Sequence, residues 1–99
     1  MSRQLEPEEI ARQFTDLPGW SGDASAIRRS YAFPDFLTAV RAVDETAVVA
    51  EAMDHHPDID IRWRTLHLTL STHSAGGVTQ LDVELAHRIH DIATSLGAD

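Results

Sequence analysis

The sequence predicts an α+β two-layer sandwich, in which a four-stranded antiparallel sheet carries helices on one face. Three segments space their apolar residues three and four positions apart, as one face of a helix does. Between these segments, apolar and polar residues alternate as in half-buried strands. Gly, Pro and Ser clusters separate the runs. The expected order is helix, hairpin, helix, hairpin, helix, and the 99 residues suit a single domain spanning 1–99.

The first helix is expected from about Pro7 to Asp16. Proline suits the first helical position, and the two glutamates after it suit the positive end of the helix dipole. Ile10, Phe14 and Leu17 share one face. Pro18 and the glycine after it end the helix.

The first hairpin is expected around the run AIRRSYAF. Ile27, Tyr31 and Phe33 fall on one face of a strand, although Arg29 interrupts that face. The Gly19-Trp20 segment is the expected short partner strand.

The longest element is a helix that opens at Pro34-Asp35 and extends to about Asp54, roughly 30 Å at 1.5 Å per residue. Pro57 disfavours helical geometry at the residue before it, so the helix should end there. The predicted core stripe follows a 4-3-4-3 spacing and consists of Phe36, Val40, Val43, Ala47 and Ala50.

The second hairpin is expected to turn near Arg64-Thr65. The predicted faces are Ile59, Ile61 and Trp63 on the first strand, and Leu66, Leu68 and Leu70 toward the core on the second, with His67, Thr69, Ser71 and His73 opposite. Because the outer sheet face reads as only partly polar, it is a candidate oligomer contact.

The last helix has a capping-box start, with Thr79 as N-cap, Asp82 closing the box and Val78 packing on Val83. Removing Asp82 is therefore expected to reduce stability by about 1 kcal/mol. Gly97 ends the helix. Its core stripe is Leu85, Ile89, Ile92 and Leu96.

Composition excludes several classes of function. A net charge of −8 argues against nucleic-acid binding, which depends on lysine and arginine. The apolar runs are too short to cross a membrane and the N-terminus is charged, so we expect a cytoplasmic protein without a membrane partner. The absence of cysteine excludes disulfides and thiolate metal sites. A chain this short has a small core, which favours a homodimer or homotetramer.

Two adjacent histidines, His55 and His56, lie where the long helix should end. The negative end of the helix dipole favours a protonated imidazole. Glu51 is one turn before His55, and Asp54 is a second nearby carboxylate, so the group suits proton transfer near neutral pH. The alternative is that these histidines simply cap the helix. The structural alternative for His73 is an exposed polar residue at a strand end.

Three histidines also raise the possibility of zinc. However, His55-His56 lacks the one-turn spacing of the usual helical pair, so no metal site is predicted. The remaining histidines, His67, His87 and His90, are expected on solvated faces.

The stretches AEAMDHHPDIDIRW and LHLTLSTHSAGGVTQLDVELAHRI resemble the pterin-4a-carbinolamine dehydratases. Shared features, in order, are His-His-Pro, an aromatic seven residues after the second His, a Thr-His after the second strand, and an Asp nine residues after that His. Gly19-Trp20 and YAFPDF also resemble the family. Many members have Tyr-Asn at Trp63-Arg64, and some have a basic residue at Leu81. The expected role of Trp63 is core packing, with stacking on a ligand as the alternative.

The resemblance implies dehydration of a 4a-hydroxytetrahydropterin to the quinonoid dihydropterin, in tetrahydrobiopterin regeneration, with the pterin as substrate and no cofactor. It implies that His55 and His73 transfer protons and that His56 positions the ring. The implied substrate-binding and supporting residues are Glu51, Asp54, Ser71, Thr72, Ser74 and Asp82. Two other functions stay open: a non-catalytic binding or dimerisation module, and a protein acting on another pterin such as a molybdenum-cofactor intermediate.

Overall fold

The computed structural model describes residues 3–99 and confirms the α+β architecture. Helices α1 (Pro7–Gln13), α2 (Phe36–Met53) and α3 (Gln80–Ser95) pack against a sheet of β1 (Ser21–Gly22), β2 (Ile27–Ala32), β3 (Asp58–Arg62) and β4 (Thr65–Leu70). A 3₁₀ turn follows α1 at Phe14–Asp16, and another follows β4 at His73–Ala75. The strand order is β1-β2-β4-β3, with every neighbouring pair antiparallel. None of the helices within residues 3–99 has the length and apolar character needed to cross a lipid bilayer.

The core face of the sheet follows the predicted alternation on β2 and β4. Ile27 pairs with Leu70, and Tyr31 pairs with Leu66. These side chains are buried against the helices. Arg29 pairs with Leu68 on this same face. It is accommodated because its guanidinium lies over the Tyr31 ring, 4.3 Å from the centroid, and donates to the Pro18 carbonyl at the edge of the sheet.

The outer face of the sheet is polar, so the prediction of a partly apolar face was wrong. The strand register places Ala32 on this face as its one apolar residue among the described strands. The polar residues on the face are Ser21, Arg28, Ser30, Asp58, Asp60, Arg62, Thr65, His67 and Thr69. His67 Nδ1 lies 2.6 Å from the Ser30 hydroxyl on this face.

Helix α2 begins and ends where the sequence indicates, but it buries a different face. Its buried residues are Ala39, Ala42, Thr46 and Ala50. Of the predicted stripe, Phe36 and Ala47 are exposed, and Val40 and Val43 are half-buried. The helix is apolar around most of its circumference, so spacing alone does not select a face. The small residues form the buried face, which allows close approach to the neighbouring elements.

The second hairpin turns at Trp63 and Arg64, one residue earlier than predicted. Trp63 has a positive φ of 53°, and its side chain is 73% exposed. The prediction of core packing for Trp63 was therefore wrong. The Arg64 guanidinium lies 5.0 Å from the centroid of the Trp63 ring and donates to the Phe33 carbonyl, which leaves the indole facing outward at the tip of the hairpin.

The short partner strand is Ser21–Gly22, just after the predicted Gly19-Trp20 segment. Trp20 itself is buried and donates its indole N–H to the Tyr31 hydroxyl at 2.9 Å. The same hydroxyl lies 2.8 Å from His90 Nδ1. His90 is thus a half-buried member of a hydrogen-bond chain, and its assignment to a solvated face was wrong. Burial raises the pKa of Tyr31.

Candidate active site

The C-terminus of α2 separates the two adjacent histidines. Asp54 follows the last helical residue in the left-handed conformation, with φ 50°. The His55 amide still donates to the Ala50 carbonyl at 3.0 Å, so the chain stays close to the helix while changing direction. His55 is only 8% exposed, whereas His56 faces solvent. The two neighbouring imidazoles therefore have different environments.

His55 is held by a buried carboxylate from a distant part of the chain. Its Nε2 lies 2.5 Å from Oδ1 of Asp82. The other carboxylate oxygen, Oδ2, accepts from the Thr72 hydroxyl at 2.8 Å and from the Thr79 amide at 2.9 Å. Asp82 is fully buried, and its capping box with Thr79 is confirmed. Asp82 thus supports His55 from the interior instead of lining an open surface.

Glu51 pairs with His56, not with His55 as predicted. Its Oε2 lies 2.9 Å from His56 Nε2, and the side chains of Glu51 and His56 are 76% and 56% exposed. The one-turn spacing would place Glu51 beside His55 only if the helix continued. The left-handed residue Asp54 breaks that continuity and turns His55 inward. A pair this exposed contributes little to stability.

An open cavity of about 430 Å³ lies beside the three histidines. Its walls are Asp54, His55, His56, Pro57, Asp58, Ser71, Thr72, His73 and Ser74. Most of the residues singled out in the sequence meet here. Glu51 and Asp82 stand behind the wall, each bonded to a lining histidine. Sequence reasoning missed Pro57 and Asp58. The alternation along β3 was a usable signal for Asp58, because it places this residue on the outer face, where it pairs with Thr69. Ser71 follows Thr69 on the same face, so Asp58 could have been predicted to lie near the predicted site residue Ser71.

The loop that carries His73 is fixed by remote segments. The Thr72 amide donates to the Gly77 carbonyl at 2.9 Å, and Gly76 takes a positive φ of 79° at the turn. The Val78 amide donates to the Ala24 carbonyl, and the Leu5 amide donates to the Val78 carbonyl. His73 therefore occupies a defined position although its side chain is exposed.

A larger cavity, of about 540 Å³, lies on the outer sheet face beside Arg28. It contains one imidazole, that of His67, which is already hydrogen-bonded to Ser30. General acid–base chemistry needs groups that can exchange protons with a ligand, and the smaller cavity brings three imidazoles together. The histidine cavity is the better candidate for catalysis. Within residues 3–99, no group of three or more His, Cys, Asp or Glu side chains is arranged to hold a metal ion.

Comparison with known proteins gives consistent matches along the chain. Residues 3–92 match the family model described as Pterin 4 alpha carbinolamine dehydratase. A Mycolicibacterium smegmatis protein is 49% identical over 88 residues, covering 89% of this chain and 94% of its own length. A Mycobacterium avium protein is 50% identical over 91 residues, covering 92% and 97%. Both are provisionally named as pterin-4-alpha-carbinolamine dehydratases.

Two solved structures share the fold. The crystal structure of a transcriptional coactivator/pterin dehydratase from Brucella melitensis superposes with a TM-score of 0.88 at 36% identity, covering 92% of this chain and 99% of that one. A pterin dehydratase-like RuBisCO assembly factor of the α-carboxysome has a TM-score of 0.62 at 20% identity, covering 75% and 86%. The second likeness concerns the fold alone.

Proposed function

Because the chain belongs to the pterin-4a-carbinolamine dehydratase family, a family of hydro-lyases, we propose that its histidine cavity dehydrates a 4a-hydroxytetrahydropterin to the quinonoid dihydropterin. The observation that carries the proposal is the meeting of His55, His56 and His73 in one cavity. The corresponding role is the regeneration of tetrahydrobiopterin.

The reaction needs two proton transfers and no change of oxidation state. One group protonates the hydroxyl on C4a, so that the C4a–O bond breaks with loss of water. Another group takes the proton from N5, and its electron pair forms the C4a–N5 double bond. Imidazoles perform both steps near neutral pH, and each transfer typically contributes about 10²–10⁴-fold in rate.

His55 and His73 are the proposed proton-transfer pair. The Nε2 of His55 is occupied by Asp82, while its Nδ1 has no hydrogen-bond partner within residues 3–99. Nδ1 is therefore the nitrogen that can exchange a proton with substrate. The Asp82 carboxylate stabilises the imidazolium that forms when His55 accepts a proton. His73 belongs to a separate loop and supplies the second transfer. His56, oriented by Glu51, positions the pterin ring.

The remaining wall residues suit binding of a flat, polar ring. The Thr72 hydroxyl donates to Asp82, and the Ser71 hydroxyl donates to the Ser25 carbonyl. These hydroxyl protons are already used, and the Thr72 amide already donates to the Gly77 carbonyl. The Ser71 backbone is therefore the group proposed to contact the pterin, while Thr72 forms part of the wall. Asp54 and Ser74 supply side chains at the rim.

An oligomer, either a homodimer or a homotetramer, is part of the proposal. Leu37 and Val48 on α2 are 78% and 71% exposed, and this helix surface is the proposed contact. A non-catalytic dimerisation module is the second candidate function, because the same surface would serve it. Sedimentation of the protein with and without a candidate partner protein distinguishes a contact between copies of this chain from a contact with another protein.

The deciding experiment is a stopped-flow absorbance assay of 4a-hydroxytetrahydropterin decay in metal-free buffer. We expect the wild-type protein to accelerate decay and His73→Ala to lose at least about tenfold of that acceleration. His67→Ala is the matched control, because it removes an imidazole outside the histidine cavity. No acceleration by the folded wild-type protein would reject the proposal, and would favour the binding role or another pterin substrate.

A further inference from the structure

Two carboxylates in the wall of the histidine cavity have no side-chain partner among residues 3–99. Asp58 is the first residue of β3, and its pairing with Thr69 directs its side chain to the outer sheet face. Asp54 is the left-handed residue that ends α2. Both line the cavity, and neither carboxylate makes a side-chain hydrogen bond or an ion pair to any of residues 3–99. Their charges are therefore available to act on a bound ligand.

The surroundings of Asp54 and Asp58 add further negative charge. Glu51 lies just behind His56. The C-terminal end of α2, with its negative partial charge, also meets the cavity at Asp54. Among residues 3–99, the lining contains no lysine or arginine, so the described groups there that can carry positive charge are imidazoles. Together these carboxylates and the helix end bias the potential of the cavity toward negative values.

We propose that Asp54 and Asp58 determine substrate specificity by charge, so that the cavity accepts pterins with uncharged or cationic side chains and rejects those bearing a phosphate. This inference rests on the proposed function and specifies the substrate class of the same site. Both carboxylates lie in the wall of one cavity of about 430 Å³, so a ligand side chain that stays within the cavity lies near both. A phosphate monoester carries a charge of about −1.5 to −2 at neutral pH. Each carboxylate therefore repels a phosphate that enters the cavity.

The magnitude of the discrimination follows from Coulomb repulsion in a solvent-exposed site. Two carboxylates at about 8 Å in water-like dielectric weaken phosphate binding by at least about tenfold. The ratio of the affinity for the uncharged ligand to the affinity for the phosphate ester should fall as salt is added, because the Debye length shortens from about 30 Å at 0.01 M to about 10 Å at 0.1 M ionic strength.

The test is isothermal titration calorimetry with two stable dihydropterins, one carrying a 6-hydroxymethyl group and the other its phosphate monoester. Neither has the 4a-hydroxyl, so binding is measured without turnover. We expect the uncharged ligand to bind at least about tenfold more tightly at about 0.01 M ionic strength, and the ratio to shrink at about 0.1 M. The Asp54→Asn, Asp58→Asn double variant should reduce the low-salt ratio to about twofold.

Asp60→Asn is the matched control. Asp60 lies on the same strand and the same outer face as Asp58, but it pairs with Arg62 and is outside the cavity wall. This variant loses the same formal charge at a greater distance from the cavity, so it should lower the ratio less than Asp58→Asn does. An equal drop in the ratio for Asp60→Asn and Asp58→Asn would overturn the assignment to the cavity carboxylates.

The outcomes separate the inference from the proposed function. If the folded protein binds both ligands equally, charge selection is wrong while the pterin site stands. Tighter binding of the phosphate ester than of the uncharged ligand would also overturn the inference. If Arg28→Gln abolished that preference, the phosphate of the ligand would lie in the larger cavity on the outer sheet face. If neither ligand binds, the pterin site and therefore the proposed function fail together.

Discussion

His55 and Asp82 form the one buried acid–base pair among residues 3–99, with His55 Nε2 lying 2.5 Å from Asp82 Oδ1. The pair joins the segment after α2 to the first turn of α3. The same carboxylate closes the N-terminal cap of α3 and accepts from Thr72. One side chain thus couples the start of a helix to the orientation of a proposed catalytic imidazole.

Removal of Asp82 should be more damaging than a lost helix cap alone. Asp82→Ala leaves the His55 imidazole, the Thr72 hydroxyl and the Thr79 amide without their acceptor. Because each buried group left without a partner costs about 1–3 kcal/mol, we expect the free energy of unfolding to fall by about 3 kcal/mol. Asp82→Asn keeps the volume and part of the bonding and should lose less. Urea denaturation measures both, and a loss near 1 kcal/mol for Asp82→Ala would indicate that the cap alone contributes.

Replacing His55 and replacing His73 should affect the stability of the protein differently, but both replacements should impair catalysis. His55→Ala leaves the buried Asp82 carboxylate without its imidazole, so the free energy of unfolding should fall by about 2 kcal/mol. His73 is exposed, so its replacement should change that free energy by no more than about 0.5 kcal/mol. Both variants should lose turnover in the decay assay. Retention of full activity by both would show that the acid–base assignment is wrong.

The cap of α2 should make stability depend on acidity. Asp35 accepts from the side chain and the amide of Thr38, and these bonds hold the pKa of Asp35 below its ordinary value. A carboxyl with a depressed pKa in the folded state stabilises above its ordinary pKa, and this contribution disappears as the pH falls through the folded-state value. Asp35→Asn keeps a capping oxygen but does not titrate.

Thermal unfolding across acidic pH tests the role of Asp35. The wild-type melting temperature should exceed that of Asp35→Asn at neutral pH, and the two should converge in acid. A constant difference between the two curves would exclude the titration of Asp35 as the cause.

Thr46 offers a stabilising substitution. It is buried on α2, and its hydroxyl has no hydrogen-bond partner within the described chain. Thr46→Val preserves the shape and removes the unpaired hydroxyl, so the free energy of unfolding should rise by about 1 kcal/mol. Thr38→Val on the same helix is the control, since its hydroxyl bonds to Asp35, and it should destabilise. A loss of stability in Thr46→Val would indicate an unrecognised partner for that hydroxyl.

Local patterns were sufficient for much of the fold. The alternation of Leu66, Leu68 and Leu70 identified β4 and its buried face, because only one of its two faces is apolar. Thr79 and Asp82 identified the start of α3, because a capping box involves residues three apart. Helix α2 shows where such patterns stop, since its extensive apolar surface left the choice of buried face to packing against the rest of the chain.

The site depended more on tertiary geometry. The predicted pairing of Glu51 with His55 assumed that the helix continues to His55. The helix ends earlier, at a left-handed residue, and because this residue is Asp54 and not the usual glycine, the sequence carries no glycine to mark that end. The partner of His55 lies 27 residues away, on a different element. The resemblance to the family placed Asp82 near the histidines, but only the packing of α3 shows that it acts from the interior.

The contacts of the His73 loop have a consequence for the order of folding. Val78 is held by Ala24 and Leu5, which are remote in the chain, so the loop is positioned only after these segments have docked. Long-range contacts of this kind form more slowly than helices. We expect catalytic activity to return later than the helical circular dichroism signal after dilution from denaturant. Simultaneous recovery would show that the catalytic geometry is already present in the earliest structured state.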